Sequence, residues 1–75
     1  MKYYIRQIRF DHSTGKSIVL YKRCKCTDGF CADQSKCWQF SRQGAKKIVK
    51  DLSEEYKVAV NAGRILFDMI PAQNE

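Results

Sequence analysis

SRQGAKKIVKDLSEEYKVAVNAG, residues Ser41 to Gly63, sets the architecture of this chain. Its apolar residues recur at Ala45, Ile48, Val49, Leu52, Tyr56, Ala59 and Val60. At about 100° per residue these positions fill one stripe roughly 120° wide, the pattern of a helix with one face on a core. Ser41 is a good N-cap, with Phe40 before it as one half of a hydrophobic staple. Gly63 follows the last stripe position and suits the left-handed residue that ends a helix. One helix over residues 42–62 is predicted, roughly 31 Å long at about 1.5 Å per residue. The rival reading stops it at Tyr56 and makes Lys57–Val60 a strand. The unbroken stripe favours the single rod.

Strands are predicted on both sides of that helix. Lys2–Phe10 carries Tyr3, Tyr4, Ile5, Ile8 and Phe10, and Ser17–Cys26 opens with Ile18-Val19-Leu20-Tyr21, all strand-favouring types. Between them, Asp11–Lys16 is a turn cluster containing Gly15, so the two runs should pair as an antiparallel hairpin. Thr27-Asp28-Gly29 is a second turn signal, and Phe30–Ser35 reads as irregular. Cys37–Phe40 is a candidate short third strand. Arg64–Ile70 is a last strand with Ile65, Phe67 and Met69 on one face. Pro71 ends it, and residues 72–75 read as a frayed tail. The order β-β-(β)-α-β predicts a single α+β domain over residues 1–75. It should be a small antiparallel sheet of three to four strands with one long helix packed on one face.

Composition bounds the function. Of the 75 residues 44% are hydrophobic and 29% charged, an ordinary globular mix. No apolar run approaches the ~20 residues of a bilayer span, and the charged N-terminus has no apolar signal core. A cytoplasmic protein is expected, without a membrane partner. The net charge is +6. Residues 1–26 hold seven basic residues against Asp11 alone, while the rest of the chain is nearly balanced. A localised basic excess suits an anionic partner, either nucleic acid or an acidic protein surface, although solvation alone also uses such charge.

Cys24, Cys26, Cys31 and Cys37 lie within fourteen residues as C-x-C-x4-C-x5-C. Four thiolates are the right number for a structural zinc ion, the cofactor expected here. The C-x-C step is tighter than the usual knuckles, so buried free thiols and disulfides stay open as alternatives. The sole histidine, His12, lies in the hairpin turn, away from the cysteines, which leaves a Cys–His nucleophile unsupported. Phosphate-cradling glycine loops and the common hydrolase motifs are missing, and a chain this short has little room for a deep pocket, so no enzyme and no small-molecule substrate is expected.

The candidate contact residues are Arg9, Tyr21, Lys22, Arg23 and Lys25 on the hairpin, and Arg42, Lys46, Lys47 and Lys50 on the helix. Strand two shows Val19, Tyr21, Arg23 and Lys25 on its odd positions. With the even phase packed on the helix, strand one would show Tyr3, Ile5, Gln7 and Arg9 beside them. Aromatic rings among cations can stack bases and screen phosphates. The helix cations oppose the macrodipole, with Lys47–Asp51 and Lys50–Glu54 available as compensating i,i+4 pairs.

The Lys2-Tyr3-Tyr4-Ile5-Arg6 strand, its Ser17–Cys26 partner, and Trp38-Gln39-Phe40-Ser41 leading into Gly44-Ala45-Lys46-Lys47-Ile48-Val49 together resemble small uncharacterised proteins of phages and prophages with a ββαβ layout. That resemblance implies a compact accessory factor that acts by binding, with host machinery as one such partner. The expected function is therefore non-enzymatic binding of nucleic acid, or of a nucleic-acid-handling complex, through the basic N-terminal hairpin. The alternative is a protein-interaction module, inhibitor or homodimer that works through a sheet edge such as Arg64–Ile70. Both readings take the single rod across the sheet as their frame.

Overall fold

In a computed structural model of the protein, residues 1–24 and 29–72 are described. The element order is β1 (Lys2–Asp11), β2 (Lys16–Lys22), β3 (Phe30–Cys31), β4 (Phe40–Ser41), α1 (Arg42–Glu55), α2 (Lys57–Asn61) and β5 (Ile65–Pro71), with one 3-10 turn at Gln34–Lys36. The α+β class follows, with an antiparallel sheet and helix on one face.

β1 is the centre of the sheet. β5 pairs along one of its edges from Tyr3↔Pro71 to Arg9↔Ile65. Tyr3 also pairs with Phe40, so β4 must occupy the other edge. β2 shares that edge further along, from Arg6↔Tyr21 to Asp11↔Lys16, and β3 adds outside β2. The N-terminal strand thus has a partner on each side, which suits its density of β-branched and aromatic residues.

The hairpin turn decides which side chains face the helix. Four residues, His12 to Gly15, connect the paired Asp11 and Lys16. Asp11 Oδ1 accepts from the Ser13 N–H and hydroxyl (3.0 and 2.7 Å), Gly15 N–H donates to the Asp11 carbonyl (2.8 Å), and Gly15 takes φ 73°. A connection with an even number of residues pairs odd positions with even ones. Tyr3, Ile5 and Gln7 therefore lie under the helix, with Leu20 and Lys22 of β2 and Ile65, Phe67 and Met69 of β5. The core is Ile5, Phe40 and Ala45, packed by Tyr3, Ile48, Val49, Leu52 and Met69. The expected face of β5 is thereby found, whereas the expected outward phase of β1 is reversed.

The helix begins as its sequence dictates. Ser41 Oγ accepts the Gly44 N–H at 3.2 Å, and Phe40 and Ala45 are buried together as the staple. It does not run unbroken to residue 62. At Tyr56 the backbone turns to φ −103°, ψ 29°, dividing the rod into α1 and α2. Hydrogen bonding spans the break: Tyr56 N–H reaches the Leu52 carbonyl, and the Tyr56 carbonyl accepts from Val60 (2.9 Å each). The Tyr56 ring meanwhile rests on Phe67, 5.5 Å between centroids. The departure is confined to one residue and leaves Ala59 and Val60 half-buried on the same stripe, so periodicity alone is blind to it. After the break, Gly63 (φ 72°) closes a Schellman motif: Gly63 N–H bonds Val60 and Arg64 N–H bonds Ala59 (3.1 and 3.0 Å).

Three further boundaries differ from expectation. β2 stops at Lys22 rather than Cys26; Lys25 and Cys26 lie outside the described residues. The short strand expected at residues 37–40 is Phe40–Ser41, with Cys37 to Gln39 outside it. Ala72, expected in a frayed tail, is 5% exposed and donates its N–H to the Lys2 carbonyl at 2.8 Å; residues 73–75 lie outside the described set.

Candidate functional site: the uncovered face of the sheet

With the helix on one side, the other side of the sheet carries the even positions of β1 and β5 and the odd positions of β2. Register fixes its rows. Ile70, Tyr4 and Gln39 form one, with the Gln39 amide donating to the Tyr4 hydroxyl at 3.0 Å; Gln34 and Ser35 of the 3-10 turn border this end of the face, lining a groove with Tyr4 and Ile70. Asp68, Arg6, Tyr21 and Cys31 form the next, and Leu66, Ile8 and Val19 the third. Phe10 and Ser17 form the last, where Phe10 N–H bonds the Arg64 carbonyl at 2.8 Å. Most of these side chains are aromatic or aliphatic. Phe10 and Leu66 remain 42% and 43% exposed. Tyr4 and Tyr21 meet edge to face at 6.1 Å, so one ring supports the other, and both are half-buried.

The charge on this face is one-sided. Arg6 and Asp68 form a bidentate pair, Nε to Oδ1 at 2.8 Å and Nη2 to Oδ2 at 2.5 Å. The hydrogen bond that Arg6 donates to Asp68 raises the Arg6 pKa against the opposing effect of burial. Asp68 is the carboxylate carried by the strands of this face and its charge is matched, while the exposed Asp33 stands at the β3 edge beside Cys37. Lys2, Arg23 and Arg64 stand exposed around the rim: Lys2 in phase with Tyr4, Arg23 in phase with Tyr21, and Arg64 opposite Phe10. None of the three is ion-paired with a carboxylate among the described residues.

The residues singled out from sequence fall into separate places. Tyr21 and Arg23 belong to the uncovered face. Arg9 is on the helix side in phase, exposed at the sheet's end, with Nε donating to the buried Gln7 Oε1 at 2.9 Å. Lys22 is 5% exposed, its ammonium 5.6 Å from the Phe30 ring centre, and so is turned into the fold rather than offered at the surface. Lys25 lies outside the described residues. Arg42, Lys46, Lys47 and Lys50 are exposed on α1, away from the sheet face. The expected Lys47–Asp51 and Lys50–Glu54 pairs do not form. Tyr4, Arg6, Phe10, Lys2 and Arg64 were missed, and the length of the Asp11–Lys16 connection was the signal that would have found the first three.

Cys31 and Cys37 lie at the β3 edge of the same face. Cys31 pairs with Tyr21. The Cys37 thiol has the carbonyl oxygens of Asp33, Tyr21 and Cys31 around it at 3.3, 3.5 and 3.9 Å. Burial, then the charge and hydrogen bond of Cys31, push its pKa up. Carbonyl oxygens stabilise a protonated thiol and repel a thiolate, so this setting suits Cys37 as a neutral donor. Cys24 is half-buried, and Cys26 lies outside the described residues. Among the described residues no three metal-donor side chains come together.

A shallow groove of about 360 Å³ lies between the hairpin turn and Gly63, lined by Phe10, Asp11, His12 and Lys16. Its carboxylate, Asp11, is held below the usual aspartate range by hydrogen bonds from Ser13. His12 Nε2 lies 3.2 Å from the Gly63 carbonyl and ties the two turns together. No described helix is long and apolar enough to cross a membrane. Compared with known proteins, the chain matches no protein-family model, no curated protein and no solved structure.

Proposed function

We propose that this protein is a non-enzymatic binding module that takes single-stranded nucleic acid on the uncovered face of its sheet. One observation carries the reading: Tyr4, Tyr21 and Phe10 share a face whose rim is cationic and whose carboxylate is already matched by Arg6. Aromatic faces stack bases of any sequence, and rim cations replace the counterions of the phosphates. The surface differs from the one expected of the hairpin, because Arg9 and Lys22 drop out and Tyr4, Phe10 and Lys2 enter. It also stands without the single rod, since the break at Tyr56 lies on the other side of the sheet. The setting of a phage or prophage accessory factor rests on the sequence resemblance.

Fluorescence anisotropy with a labelled oligo-dT tests this. Binding should be tight at low salt and weaken steeply as salt rises. Tyr4→Ala and Tyr21→Ala should each cost about 1–3 kcal/mol, the range for one stacked base. Binding that is absent at low ionic strength, or indifferent to both salt and the tyrosines, sinks the proposal.

A second reading draws on the aliphatic centre of the same face, Ile8, Val19, Leu66 and Ile70, and on the outer edge of β5, which no described strand covers. It makes the face a protein contact, with a second copy as the simplest occupant. The net charge of +6 on each copy works against it. A concentration-dependent dimer by sedimentation that excludes oligo-dT would favour it over the first.

A further inference from the structure

α1 carries a second cationic surface that the sheet-face reading does not use. Taking Ala45 as the direction of the core, Arg42, Lys46 and Lys50 lie at about 60°, 100° and 140° around the helix, with Lys47 near 200°. The first three follow one i,i+4 row and span about 12 Å along the axis. Asp51 and Glu55 fall on the other flank, at about 240° and 280°, and Glu54, at about 180°, closes the same i,i+4 row after Lys50. All four cations are exposed, and none is ion-paired with a carboxylate among the described residues.

Their placement carries a local cost. Three of the four sit in the first half of α1, whose first turn holds no acid, so they face the positive end of the helix dipole. No ion pair among the described residues offsets that cost. An external polyanion would offset it, since phosphates recur along one strand at about 3.4 Å of axial rise and the row offers a cation every 6 Å or so. The row is also separate from the uncovered face, because the helix side chains that touch the sheet, Ala45, Ile48, Val49 and Leu52, lie between them.

We infer that the Arg42–Lys46–Lys50 row of α1, with Lys47, is a second nucleic-acid backbone site, and that one molecule bridges two strands. The inference rests on the sheet face as the first site. This second site makes no base contacts, so it is indifferent to sequence and strongly dependent on salt.

The test immobilises one oligo-dT on beads, adds the protein, washes, and measures capture of a second, fluorescent oligo-dT. The two cannot hybridise. Wild type should capture the second strand at low salt. The quadruple variant Arg42→Gln, Lys46→Gln, Lys47→Gln, Lys50→Gln should keep its anisotropy affinity for one short strand within about threefold and lose capture. Its circular dichroism should match wild type, because these side chains make no described internal contact. Capture that survives in the variant overturns the inference, as dimerisation would then be the bridge. So does a wild type that binds one strand without capturing a second, which leaves the sheet-face reading intact. Loss of single-strand binding in the variant would make the helix the primary site and overturn both.

Discussion

Asp68→Asn should make the protein less stable and a better ligand for nucleic acid at the same time. The side chain is bound twice to Arg6, and both groups remain about a third exposed, at 33% and 29%. Solvent screening limits such a pair, so its loss should cost about 1 kcal/mol. That change is read as a lower urea midpoint with an unchanged slope. The uncovered face meanwhile gains a free guanidinium. Lys2, Arg23 and Arg64 are the wild-type rim cations, and Arg6 becomes the fourth. Each phosphate neutralised on a single strand contributes about 0.7 to the slope of log K against log salt, so the slope should steepen from about −2 to about −2.8. With no intrinsic contact energy, counterion release alone tightens binding about eightfold at 50 mM salt and about threefold at 200 mM. Anisotropy titrations of oligo-dT at several salt concentrations measure both quantities. An unchanged slope, or weaker binding in a variant that remains folded, would show that Arg6 does not face the ligand, and the sheet-face site would fall with it.

Phe67→Ala should cost about 3–5 kcal/mol in chemical denaturation, because Phe67 is 4% exposed and touches both Tyr56 and Phe30; a loss below 1 kcal/mol would mean that the core is elsewhere. Ser41→Ala should cost about 1 kcal/mol by removing the acceptor for the Gly44 N–H, and a neutral result would deny the cap. Cys37 has a raised pKa, so its neutral thiol stabilises the fold below the ordinary thiol pKa, and that contribution is lost as pH rises through the folded value. Iodoacetamide should therefore label Cys37 more slowly in the native protein than in urea at the same pH, as read by peptide mass spectrometry. Equal rates would show that burial and the Cys31 contact do not hold the proton.

Much of the fold was legible because the signals were local. Ser41, Phe40, Ala45 and Gly63 each act within one helical turn, and all four behave as their residue types predict. Ile65, Phe67 and Met69 alternate cleanly and mark the buried side of β5. The misreadings are non-local or depend on one dihedral. β1 has apolar residues on both sides, Ile5 on one and Ile8 and Phe10 on the other, so alternation could not choose its outward phase. The choice came from the number of residues between Asp11 and Lys16. β3 is two residues long and exists only by pairing Phe30 and Cys31 with Lys22 and Tyr21. The burial of Lys22 follows from that pairing, since Phe30 supplies the ring beneath its ammonium. The candidate site was half legible for the same reason: Tyr21 and Arg23 were identified on the strand with the clear phase, while Tyr4, Arg6 and Phe10 lay on the ambiguous one.

The ambiguity of β1 is itself informative about function. A central strand in a two-layer fold needs one apolar side, because helix covers only one face. Here the second side is apolar too. Three strands about 4.8 Å apart and some 20 Å long give the uncovered face of β5, β1 and β2 a projected area of roughly 300 Å². That footprint includes the Arg6–Asp68 pair, and Phe10 and Leu66 are its most exposed apolar side chains. Burial in a third layer would have suited leucines and valines throughout. The sequence instead places two tyrosines with polar tips there, a matched Arg6–Asp68 pair in the middle, and cations around the rim. A wet, intermittently occupied surface accounts for all three: the rings offer planar area, the ion pair discourages dry stacking against another sheet, and the rim charge selects an anion. Replacing Arg6 and Asp68 together by leucine and valine separates the alternatives. If the face works wet, the double variant should stay folded, self-associate in sedimentation, and lose its salt-dependent affinity for oligo-dT. A variant that stays monomeric and binds as before would mean that the pair has no part in keeping the face open.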